Sequence, residues 1–314
     1  MKHLFLMDPI EGIRVDLDST FALMLEAQRR GHEVSYATVE QLYGEAGCAW
    51  AQAHRVTVQP KQGEHAVLEP AQERRLSDYD VVWMRKDPPF NMGYIFHTYL
   101  LDLAQSGALV VNAPDGLRAF NEKAWTLQFP SLVPRSLVTR SQARLRALMA
   151  DIGPIVVKPL DGNGGEGVFI VRPDDPNVGV ILETSTQHES RVILAQQYLP
   201  EAKDGDKRII LVDGEPVGAC LRIPDGADHR GNIHVGARVA PCEMTERDLE
   251  ICAAIGPALR EAGQIFVGID VIGNYLTEVN VTSPTCIHEI NRFDGICIEG
   301  LILDAVDRRL AACR

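Results

Sequence analysis

Residues 268–285 read GIDVIGNYLTEVNVTSPT and place three oxygen-bearing side chains in and around two short apolar runs. Glu278 and Asn280 are two positions apart in the β-rich run 276–281, so in a strand they point to the same face. Asp270 interrupts the preceding apolar run, and a buried carboxylate needs a partner. Because Mg²⁺ prefers oxygen ligands, the pattern predicts a metal site at these three residues. The alternative is an edge strand whose polar side chains face water.

The second informative stretch is IVVKPLDGNGGEGVFIV, residues 155–171, which reads as a strand, a glycine-rich loop and another strand. Lys158 ends the first strand, where it would face a phosphate held by the loop. Gly162, Gly164 and Gly167 satisfy G-x-G-x-x-G, but a dinucleotide site requires a helix after the loop, and a strand is predicted here. A glycine loop between strands instead suits backbone contacts to a triphosphate, with a plain hairpin as the alternative. The two stretches together predict a site that handles the phosphates of ATP.

The composition is that of a globular protein with enough apolar residues for a sizeable core. The chain has 314 residues, of which 46% are hydrophobic and 24% charged, with a formal net charge of -12. This charge disfavours bulk binding to nucleic acid or to an anionic membrane, and no apolar run suits a transmembrane helix or a signal peptide. Seven scattered cysteines without a Cys-x-x-Cys pair predict reduced thiols and a cytoplasmic location.

The first third of the chain alternates strand and helix patterns, which predicts an α/β domain with a parallel sheet over residues 1–122. The helix starting at Asp18 or Ser19 has arginines in its last turn and Gly31 as a stop signal. The other predicted elements are strands at Leu4–Met7, Glu33–Val39, Asp80–Met84 and Ala108–Asn112, and a helix at Tyr94–Gln105.

Residues 123–314 mix antiparallel strands with helices and are predicted to be α+β, with a central subdomain at about 123–200 and a C-terminal one at about 201–314. Asp213-Gly214 is a strong hairpin signal, and Thr245 with Asp248 predicts a capped helix reaching Ala262. The polar, glycine-rich segment 224–236 is predicted to be a mobile loop. The remaining elements are helices at Gln142–Met149 and about Glu299–Leu310, and strands at Val192–Tyr198, 265–272 and 275–281.

Several basic residues are further candidates for binding anions. Arg85 follows a predicted strand, where ligands bind in open α/β sheets and a guanidinium can grip a carboxylate. Lys123 is predicted to open a helix and to be a second phosphate ligand. Arg222, Arg230 and Arg238 flank or lie in the polar loop, either as a charged lid or as solvated residues. The histidines and cysteines show no spacing typical of a catalytic triad or a zinc site.

A long ordered series of segments resembles the bacterial glutathione synthetase family of the ATP-grasp superfamily, over nearly the whole chain. The segments are MRKDPPF (84–90), NEK (121–123), KPLDGNGG (158–165), AQQYLP (195–200), KDGDKR (203–208), VDGEPV (212–217), RGN (230–232), FVGIDVIG (266–273) and LTEVNVTSPTCI (276–287). The resemblance implies an N-terminal α/β domain followed by two ATP-grasp subdomains that hold the nucleotide between them.

The resemblance also implies a role for each matching position. The ATP phosphates are assigned to Lys123 and Lys158, under a loop of Gly162, Asn163, Gly164 and Gly165. The residues assigned to the adenine are Gln196, Gln197, Tyr198 and Leu199. Asp206 is assigned to the ribose region. The metal ligands are Asp270, Glu278 and Asn280. Catalysis is assigned to Arg208, Arg230 and Lys158, and substrate binding to Arg85, Arg222, Arg230, Asn232, Ser283, Thr285 and His288.

The implied reaction joins γ-glutamylcysteine to glycine through an acyl phosphate, with ATP as co-substrate and Mg²⁺ or Mn²⁺ as the metal. A homo-oligomer, tetrameric or dimeric, is implied as well. Two positions depart from the family pattern: Asn163 replaces a methionine and His288 an arginine. The alternatives are an ATP-grasp ligase with another acceptor or peptide, a non-catalytic nucleotide-binding regulator, and a kinase without a ligase step.

Overall fold

The computed structural model describes residues 1–162, 164–224 and 238–313, with the side chain of the last residue left out. Three sheets make up the described part, each associated with helices. Four sequence predictions fall partly or wholly outside the described residues: Asn163, Arg230, Asn232 and nearly all of the loop 224–236. No helix of the described ranges has the length and apolarity to span a bilayer.

The first sheet confirms the predicted N-terminal α/β architecture. Its order is β3-β4-β2-β1-β7-β8, with β5 and β6 paired to β4, and the run β2-β1-β7-β8 is parallel. The strands are β1 (Lys2–Leu6), β2 (Glu33–Ala37), β3 (Leu42–Glu45), β4 (Cys48–Val58), β5 (Ala66–Leu68), β6 (Gln72–Arg75), β7 (Val81–Met84) and β8 (Leu109–Val111). The helices are α1 (Ser19–Arg29), α2 (Met92–Asp102) and α3 (Pro114–Ala119).

The ends of helix α1 are set by a capping side chain before it and a glycine after it. The Asp18 carboxylate accepts a 2.7 Å hydrogen bond from the Phe21 N–H, which satisfies one free donor of the first turn. Gly31 follows the helix with φ +76°, a left-handed conformation that glycine adopts without strain. Asn91 caps α2 in the same way as Asp18 caps α1, so α2 starts two residues earlier than predicted.

Residues 42–75 form an antiparallel extension of this sheet that was not predicted. Strand β4 pairs antiparallel with β2, β3, β5 and β6, and alternate residues along it are buried. The inward positions of β4 include small residues such as Ala49, Ala51 and Ala53. Alanine is common in helices, so the alternation carries little hydrophobic contrast and no strand signal.

The second sheet is antiparallel, in the order β11-β10-β12-β9, and it has its own hydrophobic core. Its strands are β9 (Ser136–Thr139), β10 (Ile155–Pro159), β11 (Phe169–Val171) and β12 (Ile193–Gln197), and its helices are α4 (Gln142–Ile152) and α5 (Val178–Ser185). The glycine loop connects β10 to β11, as predicted. Gly164, Gly165 and Gly167 have φ of +63°, +77° and +71°, so the loop needs residues without a Cβ.

The third sheet is antiparallel, in the order β15-β14-β13-β16-β17. Its strands are β13 (Asp206–Val212), β14 (Glu215–Ile223), β15 (Arg238–Pro241), β16 (Phe266–Ile272) and β17 (Tyr275–Asn280), and its helices are α6 (Glu246–Glu261), α7 (Ile287–Asp294) and α8 (Ile298–Cys313). Asp213 and Gly214 form the predicted hairpin turn, both with positive φ. Thr245 and Asp248 form the predicted capping box.

The segment that joins the first sheet to the second runs along the outer edge of β17. The Val279 N–H donates to the Glu122 carbonyl at 2.8 Å, and the Leu276 N–H donates to the Leu132 carbonyl at 2.8 Å. The prediction that Lys123 opens a helix is wrong. The Asn121 side chain instead accepts from the N–H groups of Lys123 and Ala124, which folds a turn before a short 3-10 helix.

Candidate active site

A large cavity of about 1450 Å³ lies where the three sheets meet. Arg85 reaches it from the first sheet, Lys158 from the second and Glu278 from the third. Pockets for one ligand are commonly about 300–1,000 Å³, so this one has room for a nucleotide and a second substrate.

Two lysines in the cavity are each paired with a carboxylate. Lys158 Nζ lies 3.3 Å from Glu278 Oε1, which links the strand before the glycine loop to the predicted metal site. Lys123 Nζ donates to Glu122 and, at 2.7 Å, to the Gly162 carbonyl. Both ammonium groups therefore lie beside the glycine loop, as a phosphate-binding role requires.

The electrostatics of these pairs follow from burial and from opposite charges. Burial raises the pKa of Glu278, but Lys123 and Lys158 outweigh it and hold the pKa below its usual value. Burial raises the pKa of Glu122 above its usual value despite the opposing charge of Lys123. Burial lowers the pKa of Lys123, yet Glu278 and Glu122 raise it overall. The Lys123 ammonium therefore keeps its charge, which a phosphate ligand needs.

Beside this cluster, two arginines share one carboxylate. Arg208 binds Asp270 through Nε at 2.6 Å and Nη2 at 3.1 Å, and Arg222 Nη2 lies 3.0 Å from the same carboxylate. Arg222 also binds Asp206 at 2.7 and 2.8 Å. The register of the sheet places them together, because Arg208 is paired with Asp270 and Asp206 with Arg222 on neighbouring strands.

Three charges of this cluster, Arg208, Arg222 and Asp270, are buried, and Asp206 is partly buried. Burial raises the pKa of Asp270, but Arg208 and Arg222 outweigh it and hold the pKa well below its usual value. Burial lowers the pKa of Arg222, but Asp270 and Asp206 raise it overall. Because the guanidinium groups stay charged, those of their N–H groups that have no partner among the described residues are available to an anionic substrate.

The predicted metal ligands lie together on β16 and β17. Asp270 is paired with Glu278 across the two strands, and Asn280 Nδ2 lies 3.3 Å from Asp270 Oδ2. Among the described residues no three His, Cys, Asp or Glu side chains form a metal site by themselves. Two carboxylates and an amide oxygen fit Mg²⁺, which usually binds few protein ligands and completes its shell with phosphate and water.

The predicted adenine residues line the same cavity at the end of β12. Gln196 is buried, and its side-chain amide donates to the Ser136 hydroxyl at 3.2 Å. The Tyr198 N–H donates to the Pro154 carbonyl at 3.0 Å, which fixes the chain just after the strand. Gln197 and Leu199 line the cavity with them.

Arg85 lies in the cavity wall, where it connects the first and third sheets. Its guanidinium donates to the Thr20 hydroxyl at 3.0 Å and to the Pro284 carbonyl at 3.0 Å, and it lies 4.8 Å from the centre of the Phe266 ring. Burial lowers the pKa of Arg85 below its usual value. Ser283 and Thr285 line the same wall.

His288 lies beside the cavity and is not one of the described residues that line it. Its Nε2 donates to the Asp18 carbonyl at 3.1 Å, which joins α7 to the start of α1. The structure therefore brings together every described site residue of the sequence prediction except His288.

Glu122, Cys286 and Glu289 are among the residues of the cavity wall that were not predicted. Cys286 is buried with φ +87° and forms a hydrogen bond with Cys220 that lowers its pKa to about 7, helped by Arg208 and Arg222. Cys286 lies in the motif segment 276–287 and Glu289 two residues after it, so nearness to the motif was the available signal. Glu122 lies within NEK (121–123), of which only the lysine was predicted to bind a ligand.

Comparison with known protein families accounts for this arrangement. Residues 1–118 match the N-terminal domain of prokaryotic glutathione synthetase, and residues 122–295 match its ATP-grasp domain. The chain belongs to the prokaryotic glutathione synthetase family. It is 49% identical over 306 residues to glutathione synthetase from Escherichia coli K12, with 97% of each chain covered. Its function is that of a glutathione synthetase, an ATP-dependent ligase.

Several solved structures have the same fold as this chain, although their sequences are much less identical to it. The D-cycloserine synthetase DcsG matches with a TM-score of 0.66 at 15% identity, over 98% of this chain and 99% of that chain. The ATP-grasp ligase PsnB, in complex with a minimal precursor, Mg and ADP, matches with a TM-score of 0.62 at 16% identity. The match covers 99% of this chain and 98% of the PsnB chain. At this identity the likeness concerns the fold alone.

Proposed function

We propose that this site joins γ-glutamylcysteine to glycine, with ATP converted to ADP and phosphate. The observation that supports it best is the contact of Lys158 with Glu278, which brings a phosphate-binding lysine and a metal-binding carboxylate to one point. The arginines of the neighbouring cluster supply positive charge for the carboxylate of the peptide.

At the nucleotide end, Lys123 and Lys158 bind the phosphates of ATP under the loop of Gly162, Gly164 and Gly165. Each lysine exchanges its present carboxylate partner for a phosphate oxygen, so the charge is already in place. The segment after β12 borders the adenine, and Asp206 borders the ribose. Asn163 belongs to this loop by sequence only.

At the reacting end, a cysteine carboxylate oxygen of the peptide attacks the γ-phosphorus and displaces ADP, which gives an acyl phosphate. The amine of glycine then attacks the acyl carbon, loses a proton and displaces phosphate. Arg208 and Arg222 are held by Asp270 so that their remaining N–H groups stabilise the charge that develops on the transferring phosphoryl group and the carbonyl oxygen. Arg85, Ser283 and Thr285 bind the peptide, and Arg230 and Asn232 are assigned by sequence only.

Asp270, Glu278 and Asn280 would hold Mg²⁺, and Asp270 also pairs with Arg208 and Arg222. A bound magnesium ion supplies Lewis-acid stabilisation of the phosphoryl oxygens. Mn²⁺ suits the same oxygen ligands, so it is expected to substitute.

Glycine is the proposed acceptor, and the rival is a ligase with another acceptor. The test is release of phosphate from Mg-ATP with γ-glutamylcysteine and each of glycine, alanine and serine. Glycine should give the highest kcat/KM. A preference for alanine or serine favours the rival ligase, phosphate release independent of any amine indicates an ATPase, and no ATP consumption indicates a nucleotide-binding regulator.

We infer that the chain divides at residues 122/123, with ATP-grasp subdomains at about 123–200 and 201–314. The separate core of the second sheet supports the division between the two subdomains. A cytoplasmic location is proposed from the cysteines, because the six whose side chains are described are free thiols.

A homo-oligomer is proposed from an exposed apolar stripe on α2. Its members are exposed and recur at helical spacing: Met92, Phe96 and Tyr99 on α2, and Leu103 at its C-terminal cap. Such stripes on a globular protein mark contact surfaces. The proposed occupant is a second copy of this chain, because an isologous contact buries the same stripe twice.

A further inference from the structure

Glu289 is a carboxylate of the cavity wall that forms no ion pair among the described residues. Its side chain is 6% exposed, and its Oε2 atom has no hydrogen-bond partner in the described ranges. By contrast, Glu278 is paired with Lys158, Glu122 with Lys123, and Asp270 with Arg208. Unlike those three carboxylates, Glu289 is buried without a counter-charge among the described residues.

A role in starting α7 does not explain this burial. Glu289 is the third residue of the helix, from which a glutamate can accept the N–H of the residue that caps the helix. Here that residue is Cys286 with φ +87°, and no side-chain capping bond is formed. In α6, where Thr245 has extended backbone, the equivalent Asp248 does form the reciprocal bonds.

A buried carboxylate without a cation or a hydrogen-bond partner costs free energy, and the cost is recovered when a ligand brings the missing charge. Among the substrates, ATP is an anion, and glycine must lose its proton before its amine can attack. The α-amino group of γ-glutamylcysteine takes no part in the reaction and stays protonated at neutral pH. A carboxylate can therefore bind this ammonium group without interfering with the amine of glycine, which is the nucleophile.

We propose that Glu289 binds the α-ammonium group of the γ-glutamyl moiety and thereby selects a peptide whose far end is an amino acid. The inference rests on the function proposed above. Helix α7 packs on α1 of the first sheet, and Arg85 donates to Pro284, five residues before Glu289. This part of the wall therefore offers one guanidinium and one carboxylate, as the zwitterionic end of the peptide requires.

The experiment compares γ-glutamylcysteine with glutarylcysteine, which lacks only the α-ammonium group. The enzymes are the wild type, Glu289→Gln and the control Glu246→Gln, which removes an exposed carboxylate from the first turn of α6. Wild type and control should use glutarylcysteine with a kcat/KM about a hundredfold lower. Glu289→Gln should lose about a hundredfold on γ-glutamylcysteine and discriminate between the two peptides by less than about threefold.

The other readouts separate this role from a structural one. The KM values for ATP and glycine should stay within about threefold in Glu289→Gln, and its thermal midpoint should equal or exceed that of the wild type. Full discrimination against glutarylcysteine in Glu289→Gln, or a rise in the glycine KM alone, would overturn the inference. Wild-type turnover of γ-glutamylcysteine tests the proposed function separately, and its absence would overturn both.

Discussion

Lys158 Nζ lies 3.3 Å from Glu278 Oε1, although the two residues are 120 positions apart in the sequence. One belongs to the strand before the glycine loop and the other to the last strand of the third sheet. The contact therefore joins the two halves of the proposed nucleotide site. In the proposed function, each charge holds the other, before ATP binds, in the position needed for binding phosphate or metal.

Glu278→Gln keeps the shape of this contact and removes its negative charge. Turnover with Mg-ATP should fall about a thousandfold, because Lewis-acid stabilisation by the metal is worth several kcal/mol. Steady-state kinetics at several magnesium concentrations measure the loss. The control is Glu261→Gln, which changes an exposed glutamate at the end of α6. Wild-type turnover of Glu278→Gln at low magnesium would be incompatible with a ligand role.

Asp270→Asn removes the carboxylate that Arg208 and Arg222 share. Urea unfolding at pH 7 should show a loss of about 3–5 kcal/mol, since two buried guanidinium groups lose their counter-charge. The control Asp151→Asn breaks an exposed pair with Arg135 and should cost less than about 1 kcal/mol.

The pH dependence of this difference follows from the lowered pKa of Asp270. A carboxylate whose folded pKa lies below its unfolded value stabilises the protein fully above the unfolded value, here 3.8. The stabilisation is lost as pH falls from there towards the folded pKa. The difference in unfolding free energy between wild type and Asp270→Asn should thus be constant from about pH 5 to 8 and should decrease below about pH 4. A constant gap down to pH 3 would contradict the ion-pair explanation.

His288→Ala distinguishes a joint between helices from a substrate ligand. Because the imidazole donates to the Asp18 carbonyl, its loss should lower the unfolding free energy by about 1 kcal/mol and leave the glycine KM within about twofold. Thermal unfolding and acceptor kinetics on the same preparation provide both values. A glycine KM raised tenfold or more, with unchanged stability, would restore His288 to the substrate site.

Phe96→Glu tests the proposed contact between copies of the chain. The residue is 59% exposed at the middle of the α2 stripe, so a charge there should disrupt an apolar interface without affecting the fold. Light scattering coupled to size exclusion should show a smaller assembly than the wild type. Val180→Glu, at an exposed apolar position on α5, serves as the control. An unchanged mass for Phe96→Glu would place the interface elsewhere.

The predictable part of the fold had strong local signals. Asp18, Gly31 and Thr245 act through contacts within a few residues, so helix boundaries could be read from them. The antiparallel strands of residues 42–75 were missed because their inward residues are small. Helix α7 was also missed, since Cys286 is not a typical capping residue.

The site was predictable to the extent that its residues follow loops and strands with a clear pattern. The sequence indicated that Glu278 and Asn280 share a face, but not that Asp270 would be held by Arg208 and Arg222. That arrangement depends on the register of strands β13, β14 and β16, which no local pattern encodes. Likewise, the lack of a described partner for Glu289 is a property of tertiary packing.

The proposed acyl phosphate can be tested by following an oxygen atom. When γ-glutamylcysteine carries ¹⁸O in its cysteine carboxylate, the oxygen that attacks the γ-phosphorus leaves with phosphate. Mass spectrometry of the phosphate released with Mg-ATP and glycine should find one ¹⁸O per turnover for doubly labelled peptide, and no label when glycine supplies the ¹⁸O. Unlabelled phosphate formed together with the tripeptide would contradict the mechanism, because the peptide carboxylate would then never have been bonded to phosphorus.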